Sequence, residues 1–143
     1  MKAPYVLEYA YKRSTGPVVG AFLTALRAGR LLGGTTADGR VICPPAEYDP
    51  RDGAGIDESV EVGQAGVVTT WSWVYEPRDK HPLSRPFAWA LVKLDGADTA
   101  LLHTVDAGSI ERMETGMRVR VRWASERVGR IEDIACFVPE EAP

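Results

Sequence analysis

Apolar positions along the chain recur with two different steps, and the change of step marks the elements. Between residues 17 and 30 the step is three or four: Val19, Phe22, Leu23 and Leu26 fall on one side of a helix. Ser14-Thr15-Gly16-Pro17 can open it with a hydroxyl cap and a first-turn proline, and Gly29 can close it in the left-handed region. Arg27 and Arg30 bring positive charge to the end where the helix dipole favours it. A helix this short does not stand alone, so its apolar face needs something to cover. From residue 60 onward the step is two. Val67 to Tyr75 puts Val67, Thr69, Trp71, Trp73 and Tyr75 on one face and Val68, Thr70, Ser72 and Val74 on the other. Phe87 to Leu94 follows, and the turn Asp95-Gly96-Ala97-Asp98 leads to Thr99 to Val105. Met117, Val119, Val121 and Trp123 then alternate with Arg118, Arg120 and Arg122, and Arg130 to Val138 is the last strand.

Five strands, with a short helix expected over Asp106 to Thr115 between the third and fourth, follow the order of a Greek-key OB barrel. Ser109 is its expected cap and Gly116 lies just beyond its end. Closure would send Trp123 and one face of the Trp71 strand inward and leave the arginine face of the fourth strand outside. Ahead of the barrel, residues 31–55 are rich in Gly, Asp and Pro, with a hairpin expected at Asp38-Gly39 between Leu31 to Thr36 and Arg40 to Cys43. At the start, Tyr5, Leu7, Tyr9 and Tyr11 alternate as an extended arm would, lying on this domain or on a partner.

Composition narrows the function. A formal net charge of −3 argues against a dedicated nucleic-acid binder, whose affinity rests on phosphate contacts. No apolar run reaches the roughly 20 residues of a spanning helix, and residues 1–16 mix aromatic and charged side chains where a secretory signal would be apolar. Cytoplasmic placement follows as the expectation, with Cys43 and Cys136 as reduced thiols. Neither a nucleophile elbow, nor a phosphate-binding glycine loop, nor a histidine pair at metal spacing is present.

Four segments carry a family resemblance: Phe22 to Leu31, Gly39-Arg40-Val41-Ile42-Cys43-Pro44-Pro45, Pro86 to Gly96, and Thr115-Gly116-Met117-Arg118-Val119. In this order the chain resembles the domain of unknown function number 35 family, OB-fold proteins with a helix and a rubredoxin-like zinc ribbon ahead of the barrel. The resemblance implies a mainly β fold: a five-stranded OB-fold barrel preceded by an N-terminal helix and a degenerate, metal-free zinc-ribbon-like hairpin. The expected organisation is arm and helix over 1–30, ribbon over 31–55, barrel over 56–138 and an acidic tail over 139–143. In the family two Cys-x-x-Cys pairs bind zinc, whereas Thr35, Asp38, Asp49 and Asp52 stand here at the same pair spacing. Without thiolates a closed zinc tetrahedron is a poor prospect, and Asx-type turns are expected instead.

The resemblance further implies an accessory subunit of a thiolase-like, lipid-transfer-protein-like aldolase acting on acyl-CoA thioesters, in a hetero-oligomer, with steroid side-chain cleavage the reaction served. Catalysis would belong to the partner, and this chain would bind no cofactor of its own. The charged loop Glu76 to Pro86 is the best contact candidate, through Arg78, Lys80, His81 and Arg85, with Phe22 and Tyr9 beside them as residues for the partner or coenzyme A. A single-stranded nucleic-acid-binding OB domain, stacking bases on Trp71, Trp73 and Tyr75, is the alternative. His103, inside a strand, reads as structural.

Overall fold

The computed structural model describes residues 16–56, 58–79 and 81–140. The tyrosine arm with Tyr9, the cap residues Ser14 and Thr15, and Lys80 lie outside the described residues.

Helix α1 covers residues 16–27. Its end follows the glycine signal: Gly29 has φ +73, and Arg30 N–H reaches back to the Ala25 carbonyl at 2.9 Å. The buried stripe is Val18, Phe22, Ala25 and Leu26, one position round from the expected face, with Val19 and Leu23 only half-buried. The helix has two surfaces to cover. Val18 closes a small cluster with Ile42 and Ile56, while Phe22 and Leu26 enter the main core.

A three-stranded antiparallel sheet follows, with β1 (Leu32–Thr35) between β2 (Val41–Ile42) and β3 (Glu58–Glu61). The Asp38-Gly39 turn forms as expected, with Gly39 at φ +88. The β1 glycines allow close packing, since a Cβ at Gly34 would stand 2.8 Å from Ile56. β3 pairs with β1 from Leu32↔Glu61 to Thr35↔Glu58, so the small sheet reaches residue 61 before the barrel begins.

The barrel consists of β4 (Ala65–Val74), β5 (Phe87–Leu94), β6 (Leu101–Val105), β7 (Arg118–Trp123) and β8 (Ile134–Pro139). It closes in the order β4-β5-β6-β8-β7, antiparallel throughout except where Val105 meets Phe137 between β6 and β8. This is the OB arrangement the strand order predicts, and closure removes the sheet edges. One core runs from α1 past the small sheet into the barrel, including Leu26, Leu31, Cys43, Val68, Val92, Val119 and Phe137.

Four expectations need correction. On β4 the simple alternation breaks at a bulge: Val68 faces Val92, Thr70 faces Leu91 and Trp71 faces Ala90, leaving Thr69 as the extra residue. Val68 therefore shares the inner face with Trp71 and Trp73, while Val67 stands with Thr70 and Ser72 outside. Between β6 and β7, the helix expected over 106–115 is only a 3-10 turn, Ile110–Arg112, whose N-cap Ser109 makes no side-chain bond. Asp106 N–H is bound to the Phe137 carbonyl and Gly108 takes φ +90, so the chain cannot coil from 106 onward. The last strand likewise begins late, after a 3-10 turn at Ile131–Asp133. The start of the expected acidic tail is held: Pro139 ends β8, and Glu140 bonds the Arg118 guanidinium at 2.8 Å.

Candidate functional site

Loop 75–86 leaves β4 and returns into β5. Inside it, Arg78 N–H donates to His81 Nδ1 at 2.9 Å and His81 N–H donates to the Arg78 carbonyl at 2.9 Å, closing a tight turn. The His81 ring stands edge-on to Phe87 at 5.5 Å, and Phe87 in turn meets Trp89 at 5.7 Å. His81 is thus anchored to the strand that follows. Arg85, further along, donates to Asp106 Oδ2 at 2.5 Å, and Arg122 of β7 reaches the same oxygen at 3.2 Å. Loop, strand end and β7 therefore meet at one carboxylate. Asp106 is only 6% exposed. Burial pushes its pKa up, but the hydrogen bonds and charges of Arg85 and Arg122 together outweigh that and hold it below the usual value.

Of the expected contact residues, Arg78, His81 and Arg85 share this loop, but only Arg85 reaches the Asp106 cluster. Phe22 is 4% exposed, enclosed by the core as part of the helix face that covers the barrel, so its ring is not offered at the surface. The aromatic set on β4 is divided: Trp71 and Trp73 lean half-buried on the core while Tyr75 faces solvent. A three-ring stacking platform does not form. On β7, Arg118 is held by Asp95 at 2.7 Å and Glu140 at 2.8 Å, whose bonds raise its pKa. His103 is buried, accepts the Thr104 N–H at its Nδ1 and stands edge-on to Phe137 at 5.7 Å; burial lowers its pKa. These contacts fit the structural role read from the sequence.

The outer face of β5 and β6 carries a feature the sequence analysis missed. A cleft of about 470 Å³ is lined by Trp89, Leu102, Pro82, Ile131, Ile134 and Ala135. Leu102 is 58% exposed there, and a second hollow across Thr70, Ser72 and Leu91 shares both Trp89 and Leu102. The face is mainly apolar, with His103 and Glu132 also on the cleft lining. The signal available in sequence was the unbroken Leu101-Leu102, where strict alternation would place a polar residue outside.

The ribbon positions do not fit zinc. Thr35 is a β1 residue in register with Val41 and Glu58. Arg40 lies between the other turns, bonding Asp49 at 2.6 Å and Asp38 at 3.3 Å. Asp49 Oδ1 also accepts the Arg51 N–H, and Asp52 Oδ1 accepts the Ala54 N–H, each at 2.9 Å, which are the expected Asx turns. A fixed guanidinium occupies the space between carboxylates that a dication would need. Among the described residues no three His, Cys, Asp or Glu side chains converge elsewhere. Cys43 is buried in the core, and burial pushes its thiol up to about 12, far from a reactive thiolate. Among the described residues no helix is long and apolar enough to cross a membrane.

The family model of the ChsH2 C-terminal OB-fold domain matches residues 59–124. A protein of unknown function from the DUF35 family of Sulfolobus solfataricus has the same fold, with a TM-score of 0.61, 21% identity and coverage of 81% of this chain and 84% of that one. So does a chain of the solved Ltp2-ChsH2(DUF35) aldolase, with a TM-score of 0.61, 23% identity and coverage of 83% and 91%. No curated protein matches. The resemblance to the domain of unknown function number 35 proteins holds: the chain shares their fold, and its residues 59–124 match the family model of the ChsH2 C-terminal OB-fold domain.

Proposed function

We propose that this chain is a non-catalytic accessory subunit that binds a thiolase-like catalytic chain and supports an aldolase acting on an acyl-CoA thioester. The observation that carries the reading is the sequence match of residues 59–124, which hold four of the five barrel strands, to the ChsH2 C-terminal OB-fold domain. The shared fold with a chain of the Ltp2-ChsH2 aldolase supports it. Two features of the molecule agree. Cys43 is held as a buried thiol far from a reactive thiolate, and the Trp89–Leu102 face presents an exposed leucine beside a mainly apolar cleft, which suits a protein interface. The reaction served is carbon–carbon cleavage, with a steroid side-chain thioester as the substrate class and the cytoplasm as the compartment. The acyl-CoA is handled by the complex, and this chain holds no cofactor.

Co-expression with the thiolase-like chain should give a stable hetero-oligomer, and Leu102→Asp should dissolve it without lowering the melting temperature of the isolated subunit. Purification of this chain alone, with no effect on the solubility or activity of the catalytic chain, would overturn the reading. Turnover of a steroid side-chain thioester against a straight-chain one by the assembled complex decides the substrate class.

A further inference from the structure

A second cleft, of about 290 Å³, opens on the opposite side of β8 from the apolar one, and its chemistry is different. Four guanidinium groups line it: Arg85 from the loop, Arg112 from the 3-10 turn, and Arg120 and Arg122 from the outward face of β7. The one carboxylate among the lining residues is Asp106, so the lining is cationic in a chain whose net charge is −3. Asp106 is itself unusual. Its side chain is 2% exposed, Oδ2 takes both Arg85 and Arg122, and Oδ1 is buried with no hydrogen-bond partner.

A buried carboxylate with one oxygen unpaired is costly, and such a group needs a reason. The geometry supplies one. By gathering two arginines onto a single oxygen, Asp106 fixes them side by side at the cleft wall, against the repulsion that would otherwise splay them apart. Each guanidinium has five N–H donors, so one or two bonds to Asp106 leave most of the fork directed elsewhere. Arg85 and Arg122 remain 64% and 48% exposed. Arg112 donates to the Ala107 carbonyl at 3.0 Å, which holds it beside the cleft, and Gly108 at φ +90 makes the turn that permits this. Arg120 faces the same cleft with no carboxylate partner among the described residues.

We propose that this arginine cleft is a binding site for a phosphoryl group, a phosphate or diphosphate ester, with Asp106 as the positioning residue that aligns Arg85 and Arg122 and with Arg120 and Arg112 completing the cradle. Planar guanidinium forks match phosphate oxygens in pairs, which is why a cluster of arginines rather than lysines suits this ligand. The site stands independently of the aldolase reading, since it is defined by side chains on this chain alone, and its test does not involve the catalytic partner.

Calorimetric titration of the full chain with sodium pyrophosphate and with ADP, at low ionic strength, reads the site directly. The expected result is saturable one-site binding that Arg120→Ala weakens about tenfold or more, the loss of one charge-assisted contact. Asp106→Asn should weaken it as well, by releasing Arg85 and Arg122. Arg118→Ala should change it little, because that guanidinium is already taken by Asp95 and Glu140. If Asp106→Asn fails to fold, the exposed Arg120 still carries the test. Equal affinity for pyrophosphate and ADP identifies the phosphoryl group alone as the determinant, and tighter ADP binding identifies a nucleotide; both support the site. No saturable binding of either, undiminished binding by Arg120→Ala, or binding of a single-stranded oligonucleotide without binding of pyrophosphate and ADP would each overturn it.

Discussion

Replacing Leu26 by alanine tests whether helix α1 is part of the barrel or merely attached to it. Leu26 is completely buried and belongs to the same core as Val68, Val119 and Phe137. Truncation removes the transfer free energy of the lost carbons and leaves a cavity where helix and barrel meet, together about 3–4 kcal/mol at a fully buried leucine. Against a domain stability of order 10 kcal/mol this is a large fraction, and at this chain length it lowers Tm by roughly 10 °C. The assay has a built-in reporter. All four tryptophans, Trp71, Trp73, Trp89 and Trp123, lie on barrel strands and none on the helix. Urea unfolding followed by tryptophan fluorescence therefore reports on the barrel while the substitution sits on α1. If the two share one core, the fluorescence midpoint moves by the full amount and coincides with the far-UV circular dichroism transition. Thr24→Ala, on the exposed side of the same helix, should stay within about 0.5 kcal/mol of the parent. An unchanged tryptophan midpoint, with only helical signal lost, would refute the single-core reasoning.

Other substitutions follow from the same structure. Asp133 accepts the N–H groups of Val128, Gly129 and Arg130; burial raises its pKa, but these backbone bonds outweigh that and set it below the unfolded value. A depressed carboxylate adds stability that is present above the unfolded pKa, about 3.9, and is lost as pH falls through the folded value. Urea midpoints should therefore drop on acidification below about pH 5, and Asp133→Asn should be weaker at neutral pH with a flatter acid limb. A mild aromatic disulfide reagent at pH 8 should leave Cys43 and Cys136 unmodified in the native protein, because burial raises both thiols, and should label both once the chain is unfolded. Arg40→Met should speed protease cleavage between residues 47 and 55 by releasing Asp38 and Asp49, and elemental analysis of the parent protein should find zinc well below one per chain. Near-stoichiometric zinc would contradict the pairing described for Arg40.

How much of this was legible in the sequence depended on whether the signal was local. Strand β5 was readable to the residue, because Phe87 to Leu94 is bounded by Pro86 and by the Asp95-Gly96 turn. The closing of α1 at Gly29 was also local, a backbone preference rather than a packing choice. The helix face was harder, since its rotation toward Val18 depends on Ile42 and Ile56, which are distant in sequence. The β4 bulge was invisible for the same reason: nothing in Val68-Thr69-Thr70 announces that Leu91 will meet Thr70 rather than Thr69. The arginine cleft was half legible. Arg118, Arg120 and Arg122 were read as one outward face, but their fates diverge through carboxylates brought in from elsewhere, Asp95 and Glu140 for the first and Asp106 for the third. Asp106 itself comes just after a strand, at a spot where an isolated acidic residue looks like ordinary turn chemistry.

The small β1-β2-β3 sheet has its two turns joined by charge rather than by a metal. In a metal-bound ribbon one cation joins two turns; here the Arg40 guanidinium joins them, set between Asp38 of one turn and Asp49 of the other. The second aspartate of the later turn, Asp52, is left to stabilise its own backbone at Ala54. The exchange has a physical consequence for when the turns form. A metal cross-link depends on ligand deprotonation and on metal supply, whereas an arginine retains its charge at every physiological pH, so the joint is made as soon as the two carboxylates ionise. Its weakness lies in the carboxylates. The Arg51 N–H and Thr36 hydroxyl bonds lead in holding Asp49 and Asp38 respectively below the ordinary carboxylate range, with Arg40 adding to both. The small sheet should therefore loosen only in acid, after protonation removes the two anions between which Arg40 is held.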